Sequence, residues 1–233
     1  MLGGDEGDLI TAAAYTGPSA ARVLLHGNSG ADTLTGGDGN DRLLGGTNVT
    51  GTDVLNGGPG NDLLDGQDQD DTENGGTGDD TFIQRVALNG DDTLNGDAGI
   101  DRVTYAGRSA DLEVSVGDAT TGDGQPGEND DVSASIERVV GGSGDDDFDG
   151  DGGNNIFLGG SGEDELSGAD GTDRLKGGAN DDTLRGGAGD DGLFGGSGSD
   201  NLDGEVGNDL LNGGTGRDIC RDASGTNTRR NCP

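Results

Sequence analysis

The sequence has little positive charge and few aromatic residues. Lysine and arginine number 13 against 47 aspartates and glutamates in 233 residues, and the formal net charge is −34. Tryptophan is absent, and aromatic residues make up 3% of the chain. Nucleic acids and anionic membranes carry phosphate, so a charge of this sign excludes both as expected partners.

Long apolar runs are also missing. Leu, Ile, Val and Phe together supply 42 residues, a share that predicts disorder unless something besides apolar burial, such as a bound cation, holds the chain together. No run reaches the roughly 20 apolar residues of a membrane span, which predicts no membrane insertion. The first residues lack the basic and apolar regions of a signal peptide, so any export signal is expected to be missing from this sequence or unconventional.

Cysteine is scarce. The two cysteines, Cys220 and Cys232, both lie in the last fourteen residues. Two cysteines so near one terminus predict a disulfide clasp and therefore an oxidising compartment.

Glycine is abundant, with 53 residues, and much of it follows a nine-residue period. Residues 141–221 divide without a gap into nine units, among them GGSGEDELS, GGAGDDGLF and GGSGSDNLD. Position one is always glycine. The position-six residues are Asp146, Asn155, Asp164, Asp173, Asp182, Asp191, Asp200, Asp209 and Asp218. Position eight is Phe148, Phe157, Leu166, Leu175, Leu184, Leu193, Leu202, Leu211 and Cys220.

A second, looser block of the same units runs from 27 to 104. Its position-six residues are Asp32, Asp41, Asp53, Asp62, Asp71, Asp80, Asp92 and Asp101. Asp53 and Asp92 each follow three extra residues. The unit GQDQDDTEN, which contains Asp71, is degenerate because it loses a glycine and carries Glu73 at position eight.

The rest of the chain flanks these blocks. Residues 105–140 lose the period, and the alternation of Leu112, Val114 and Val116 with polar residues predicts a strand in a spacer that stacks on the same coil. Residues 1–26 are expected to be a frayed or capping segment, and residues 222–233 a C-terminal cap, which solenoid ends need.

Each half of the nine-residue unit has its own structural role. The GGxGx half predicts a tight turn, because glycine accepts positive φ. The residues around position eight predict a strand of about three residues with one side chain pointing inward. Two units then make one turn of eighteen residues, and successive turns stack at the strand spacing of about 4.8 Å. The expected fold class is all-β, a parallel β-roll.

Stacked turns of this kind bring the position-six carboxylates close together in two rows. Such rows repel unless cations lie between them. Carboxylates and exposed glycine-loop carbonyls are the oxygen ligands of Ca²⁺, whereas Mg²⁺ requires stricter octahedral geometry. Zinc and copper lack suitable ligands in a chain with one histidine and two paired cysteines. The expected cofactor is therefore Ca²⁺, in several copies.

The units resemble the GGxGxDxUx nonapeptide of the RTX (repeats-in-toxin) family of hemolysin-type calcium-binding repeats. The resemblance implies a secreted bacterial protein with Ca²⁺ between stacked loops, ligated by all the position-six residues named above and by backbone carbonyls. The cysteines depart from this pattern, because RTX proteins exported by type I secretion have few or none.

No enzymatic motif is evident: HExxH, GxSxG, a P-loop lysine and the EF-hand pattern are all absent. The expected function is an extracellular calcium-binding module with a structural or presentation role and no catalysis of its own, and with an unidentified extracellular protein or polysaccharide partner. One alternative is an adhesin or surface-layer interaction protein, which regular threonine or aromatic rows would favour, and none is evident in the sequence. Another is an accessory RTX module of a secreted hydrolase, epimerase or toxin.

Overall fold

In the computed structural model of the chain, residues 1–12, 22–47, 51–85, 87–118 and 122–232 are described. No helix long and apolar enough to span a membrane occurs in these ranges. The regular elements in them are strands: β1 (Leu9–Thr11), β2 (Leu24–His26), β3 (Thr33–Thr35), β4 (Arg42–Gly46), β5 (Val54–Pro59), β6 (Leu63–Gln67), β7 (Thr72–Thr77), β8 (Thr81–Ile83), β9 (Thr93–Ala98), β10 (Arg102–Thr104), β11 (Glu113–Ser115), β12 (Asp131–Val132), β13 (Arg138–Val140), β14 (Asp147–Asp149), β15 (Ile156–Ser161), β16 (Glu165–Ser167), β17 (Arg174–Ala179), β18 (Thr183–Ala188), β19 (Gly192–Ser197), β20 (Asn201–Val206), β21 (Leu210–Thr215), β22 (Ile219–Arg221) and β23 (Thr228–Arg230).

The chain divides into two compact units. The described residues of the first fall within 1–104, 119–123 and 127–136, and those of the second within 105–118, 124–126 and 137–233. The spacer at 105–140 thus contributes residues to each unit. Its alternating stretch forms β11, and Leu112, Val114 and Val116 are all buried.

Each unit is a parallel β-roll in which the chain alternates between two sheets. In the first unit, one sheet has the order β1-β3-β5-β7-β9-β12, and the other contains β2-β4-β6-β8-β10. In the second, the orders are β11-β14-β16-β18-β20-β22 and β13-β15-β17-β19-β21-β23. Neighbouring strands in these sheets pair in parallel, as the predicted fold class requires.

The position-eight side chains form the core. In the second unit Phe148 pairs with Leu166 and Leu166 pairs with Leu184, so the register advances by eighteen residues a turn. These side chains are fully buried, and so are their counterparts on the facing sheet. In the first unit Leu34 pairs with Leu55 across 21 residues, because three extra residues precede Asp53 in the sequence. Residues 48–50 of that insertion fall outside the described ranges.

Many strands are twice as long as the expected three residues. β17 spans six residues, and its ladder with β19 continues beyond the core position through Gly178–Gly196 and Ala179–Ser197. The sequence prediction was wrong here because the glycine pair was assigned to the turn alone. The second glycine of the pair, at positive φ, also pairs with the same position one turn away, as Gly178 does with Gly196.

The N-terminal segment also joins a ladder. Leu9 of β1 pairs with Thr33 of β3, and Ile10 is buried beneath it. The stretch GGDEGDLIT within the expected frayed or capping segment therefore forms a paired turn of the roll.

Candidate functional site

The position-six residues predicted from the sequence line the edges of the rolls in four rows, two in each unit. Within a row, the backbone N–H of one residue donates to Oδ1 of the next, one turn later: Asp146 N–H to Asp164, and Asp164 N–H to Asp182, both at 3.0 Å. The rows are Asp32, Asp53, Asp71, Asp92; Asp41, Asp62, Asp80, Asp101; Asp146, Asp164, Asp182, Asp200, Asp218; and Asn155, Asp173, Asp191, Asp209. All seventeen side chains are buried.

The second carboxylate oxygen of most of these aspartates is buried without a hydrogen bond. This holds for Oδ2 of Asp32, Asp41, Asp62, Asp71, Asp80, Asp164, Asp173, Asp182, Asp191, Asp200, Asp209 and Asp218. A buried polar atom without a partner costs roughly 1–3 kcal/mol, and more if it is charged. Each oxygen therefore requires either a proton or a cation.

The position-one glycines show where these oxygens point. A Cβ built on Gly141 would overlap both Oδ2 of Asp146 and the carbonyl oxygen of Gly159 in the next turn. A Cβ on Gly168 would likewise overlap Oδ2 of Asp173. The missing side chain thus lets a carboxylate oxygen and a carbonyl oxygen converge between turns, which explains why position one is glycine in every unit of residues 141–221.

Burial shifts the acidity of these carboxyls. It raises the pKa of Asp164 from 3.8 to about 6 and that of Asp182 to about 7, and the neighbouring carboxylates of the row add to the shift at Asp182. The pKa of Asp173 rises to about 7 and that of Asp92 to about 8, again chiefly through burial. The negative charge of these groups is therefore poorly stabilised by protein atoms alone.

Side chains alone do not build a metal centre here. In the described ranges, no group of three or more His, Cys, Asp or Glu side chains converges tightly enough to hold an ion. Backbone carbonyls must supply the remaining ligands. A donor set of one carboxylate per turn with carbonyls is all oxygen, which fits Ca²⁺ and excludes a thiolate- or imidazole-based zinc site.

Three further residues extend the rows, and the sequence analysis missed them. Oδ1 of Asp130 accepts from Asp92 N–H at 2.9 Å, and Oδ1 of Asn227 accepts from Asp209 N–H at 2.7 Å. At the other end, Asp8 N–H donates to Oδ1 of Asp32 at 2.7 Å. Asp130 retains one signal, an apolar residue two positions later, but the glycine pair before it is lost.

A second ladder lies at position five, just outside the first. Oδ1 of Asp145 accepts from Glu163 N–H at 2.7 Å, and Oδ1 of Asp190 accepts from Asn208 N–H at 2.8 Å. Here the side chain accepts from the following turn, whereas at position six it accepts from the preceding one. Adjacent turns are thus joined in both directions. The frequency of Asp and Asn at position five was the available signal.

The degenerate unit places an acid in the core. Glu73 pairs with Leu55 and Leu94 in the ladder and is fully buried. Its Oε1 accepts from Gly66 N–H at 2.7 Å, while Oε2 has no hydrogen bond. Burial, together with the carboxylates of Asp92 and Asp71, raises the pKa of Glu73 well above its usual value.

The two cysteines form the expected disulfide. Cys220 and Cys232 are joined with their Cα atoms 5.9 Å apart. The chain segment between the two cysteines contains β23, which pairs with β21. The disulfide therefore closes a loop that already lies on the last turn of the roll. The tail therefore covers the C-terminal end of the second unit.

Comparison with known proteins agrees with this geometry. The family model described as the RTX calcium-binding nonapeptide repeat matches residues 24–48, 47–82, 86–104, 131–166, 167–202 and 193–220. These matches cover well over half of the sequence. No curated protein matches the chain with significance. The fold and the rows define a calcium-binding repeat β-roll, and the chain belongs to the RTX calcium-binding nonapeptide repeat family.

Proposed function

We propose that this chain is a secreted module that folds into its β-rolls when it binds several Ca²⁺ ions, and that it has a structural or presentation role without catalysis. The proposed ligands are the carboxylates and Asn155 of the four rows, together with carbonyls of the glycine loops. The observation that carries the proposal is the series of buried Oδ2 atoms without hydrogen bonds.

Electrostatics explains why folding and binding are linked in this proposal. A chain with a formal charge of −34 has a thin apolar core, and the roll stacks its carboxylates turn upon turn. Ordering such a chain costs roughly 1–2 kcal/mol per residue in backbone entropy alone. Metal binding supplies free energy that is absent in the unfolded chain, since the ligands converge only after folding.

One observation supports an extracellular location: the disulfide between Cys220 and Cys232 fits an oxidising compartment. If the chain is exported, its calcium affinity should lie in the range typical of extracellular calcium modules, about 10⁻⁴–10⁻³ M.

Native mass spectrometry of the full chain tests the proposal directly. With calcium in the millimolar range, several ions should bind to each chain, and magnesium at the same concentration should replace few of them. The variant Asp164→Asn should bind fewer ions, whereas the matched exposed change Glu163→Gln should not alter the count. A chain that retains no calcium at any concentration would contradict the proposal.

A second candidate, an interaction protein, has one observation in its favour. The solvent side of the β1-β3-β5-β7-β9-β12 sheet carries threonine at Thr11, Thr33, Thr35, Thr72 and Thr93. Beside them runs an asparagine ladder, in which Asn74 Nδ2 donates to Asn56 and Asn95 Nδ2 donates to Asn74, both at 3.0 Å. These rows were not found in the sequence, because the intervals between them vary.

A binding assay separates this candidate from the first. A chain with lysine in place of Thr33, Thr72 and Thr93 should keep its calcium-dependent fold. If the face is an adhesive surface, this variant loses binding to cell-surface preparations. Equal binding by the variant and the parent chain would show that this face is not an adhesive surface.

A further inference from the structure

The turn at residues 66–71 keeps its shape despite an unfavourable sequence. Gln67 and Gln69 occupy places where other turns carry glycine, and both have positive φ, 87° and 82°. Such a conformation strains a non-glycine residue and persists only where the surroundings impose it. The degenerate unit therefore still forms the same tight turn as the other units, and not an irregular loop.

Two carboxylates of this unit meet at Gly66. Oε1 of Glu73 accepts from Gly66 N–H at 2.7 Å. A Cβ built on Gly66 would overlap Oδ2 of Asp71. The core side chain and the row side chain thus converge on one backbone position, whereas Gly57 and Gly75 of the flanking units each adjoin one carboxylate, that of Asp62 and that of Asp80.

Neither carboxylate is neutralised by a hydrogen bond at its second oxygen. Glu73 Oε2 and Asp71 Oδ2 are both buried without a partner. Asp65, whose charge also acts on Glu73, is itself paired with Arg85, which donates through Nε and Nη2 to its two oxygens at 2.7 and 2.6 Å. A leucine at position 73 would fill the core without these costs, as Leu55 and Leu94 do on either side.

We propose that Glu73 is a cation ligand, and that Asp71 and Glu73 together make this turn a two-carboxylate Ca²⁺ site completed by backbone carbonyls. The inference rests on the proposed calcium function and adds a ligand that the nonapeptide pattern does not contain. A second carboxylate raises the affinity of an oxygen-ligand site for Ca²⁺. The unit that looks weakest in sequence is then the tightest site of the first roll.

The test is hydrogen exchange of β7 (Thr72–Thr77) in the full chain during a calcium titration. Five proteins are compared: the parent chain, Glu73→Gln, Glu73→Leu, Asp71→Asn and the double variant Asp71→Asn/Glu73→Gln. Asp164→Asn, in the second unit, is the distant control. Glutamine preserves the shape and the Gly66 hydrogen bond but removes the charge.

Glu73→Gln should raise the calcium midpoint for protection of β7 by about tenfold. Glu73→Leu should raise it as well, while increasing the protection of β7 in chelator, since it removes a buried acid. The double variant should raise the midpoint by less than the product of the single effects, because both residues hold one ion. Asp164→Asn, which alters a row of the second unit, should leave the calcium midpoint for protection of β7 unchanged.

Two results overturn the inference, and they are distinguishable. If the parent chain responds to calcium and Glu73→Gln copies its midpoint, Glu73 is a neutral carboxylic acid of the core and not a ligand. If no protein, the parent chain included, gains protection with calcium, the proposed function fails and this inference fails with it.

Discussion

The backbone N–H of Asp164 donates a hydrogen bond to Oδ1 of Asp182, eighteen residues later, at 3.0 Å. The bond fixes the carboxylate of one turn against the backbone of the turn before it. The other carboxylate oxygen of Asp182, Oδ2, is buried without a hydrogen bond. One side chain thus links two turns and offers a cation ligand between them, and the same relationship recurs along all four rows.

The two rows of the second unit should differ in calcium affinity. In the row containing Asp182, position two of every unit is glycine. The row containing Asp173 has Ala169 and Glu205 there, at φ of 69° and 62°, and Asn155 as a neutral member. Each strained residue costs about 1–3 kcal/mol. The Asp182 row carries one such residue, Asn180 at φ of 84°, against two in the Asp173 row, so the Asp173 row should bind more weakly and fill later.

The matched variants Asp182→Ala and Asp173→Ala test this difference. Asp182→Ala should weaken calcium-driven folding of the second unit more than Asp173→Ala does. The measurement is the calcium midpoint of folding, in a titration followed by circular dichroism. Equal or reversed midpoints would show that row asymmetry does not govern affinity.

A methyl group at position one should damage the site that it adjoins. In Gly177→Ala the new Cβ would overlap the carboxylate of Asp182. Overpacking of this kind costs about 1–3 kcal/mol, and it should also raise the calcium midpoint. Gly152→Ala is the control, because nothing lies within 4 Å of the added Cβ, and it should stay within about 0.5 kcal/mol of the parent chain. Equal stability of the two variants in calcium would contradict the role of position-one glycine.

Acid should partly replace calcium. Burial raises the pKa of Asp146 and of Asp173 from 3.8 to about 7 in the folded chain. The folded chain therefore takes up protons more readily than the unfolded one. Stability of the calcium-free roll from these groups is fully present below pH 4 or so and is lost as the pH rises through about 7.

The corresponding measurement is circular dichroism in excess chelator between pH 7.5 and pH 5. The β signal should grow as the pH falls. With calcium present, the calcium midpoint should rise over the same interval, because protons compete for the carboxylates. A chelated chain that loses β signal on acidification would contradict the burial of these carboxyls in the roll.

The disulfide should hold only the last turn. Closing the twelve-residue separation between Cys220 and Cys232 stabilises the chain by about 2–4 kcal/mol in a loop-entropy treatment. Cys232→Ser should therefore expose β22 and β23 to hydrogen exchange and leave β15 to β19 protected, since a solenoid repeat contacts only its neighbours. Reductant should have no further effect on that variant. Loss of protection throughout the second unit would show that the clasp stabilises the whole roll.

The sequence predicted the repeat geometry well because its period is the period of the structure. Position eight of each unit is one ladder position, so Leu166, Leu184 and Leu202 could be placed in the core from their spacing alone. The rows of position-six residues followed from the same count.

The remaining features depend on contacts between turns, which spacing does not reveal. Asp130 joins a row across 38 residues, with no glycine pair to mark its unit. In the sequence, Glu73 is only a departure from the leucine expected at position eight. Its hydrogen bond with Gly66 N–H, which places it beside the Asp71 carboxylate, is visible only in the structure. The threonine and asparagine rows are hidden for a related reason, since their members are separated by unequal numbers of residues.

Far-UV circular dichroism of the parent chain in excess chelator and during calcium addition, at neutral pH, tests the central claim most directly. Buried carboxylates that need a cation should leave the chelated chain largely disordered. Calcium should then induce a cooperative transition to a β spectrum, with a midpoint of about 10⁻⁴–10⁻³ M. A fully formed β spectrum in excess chelator, unchanged by calcium, would contradict the account.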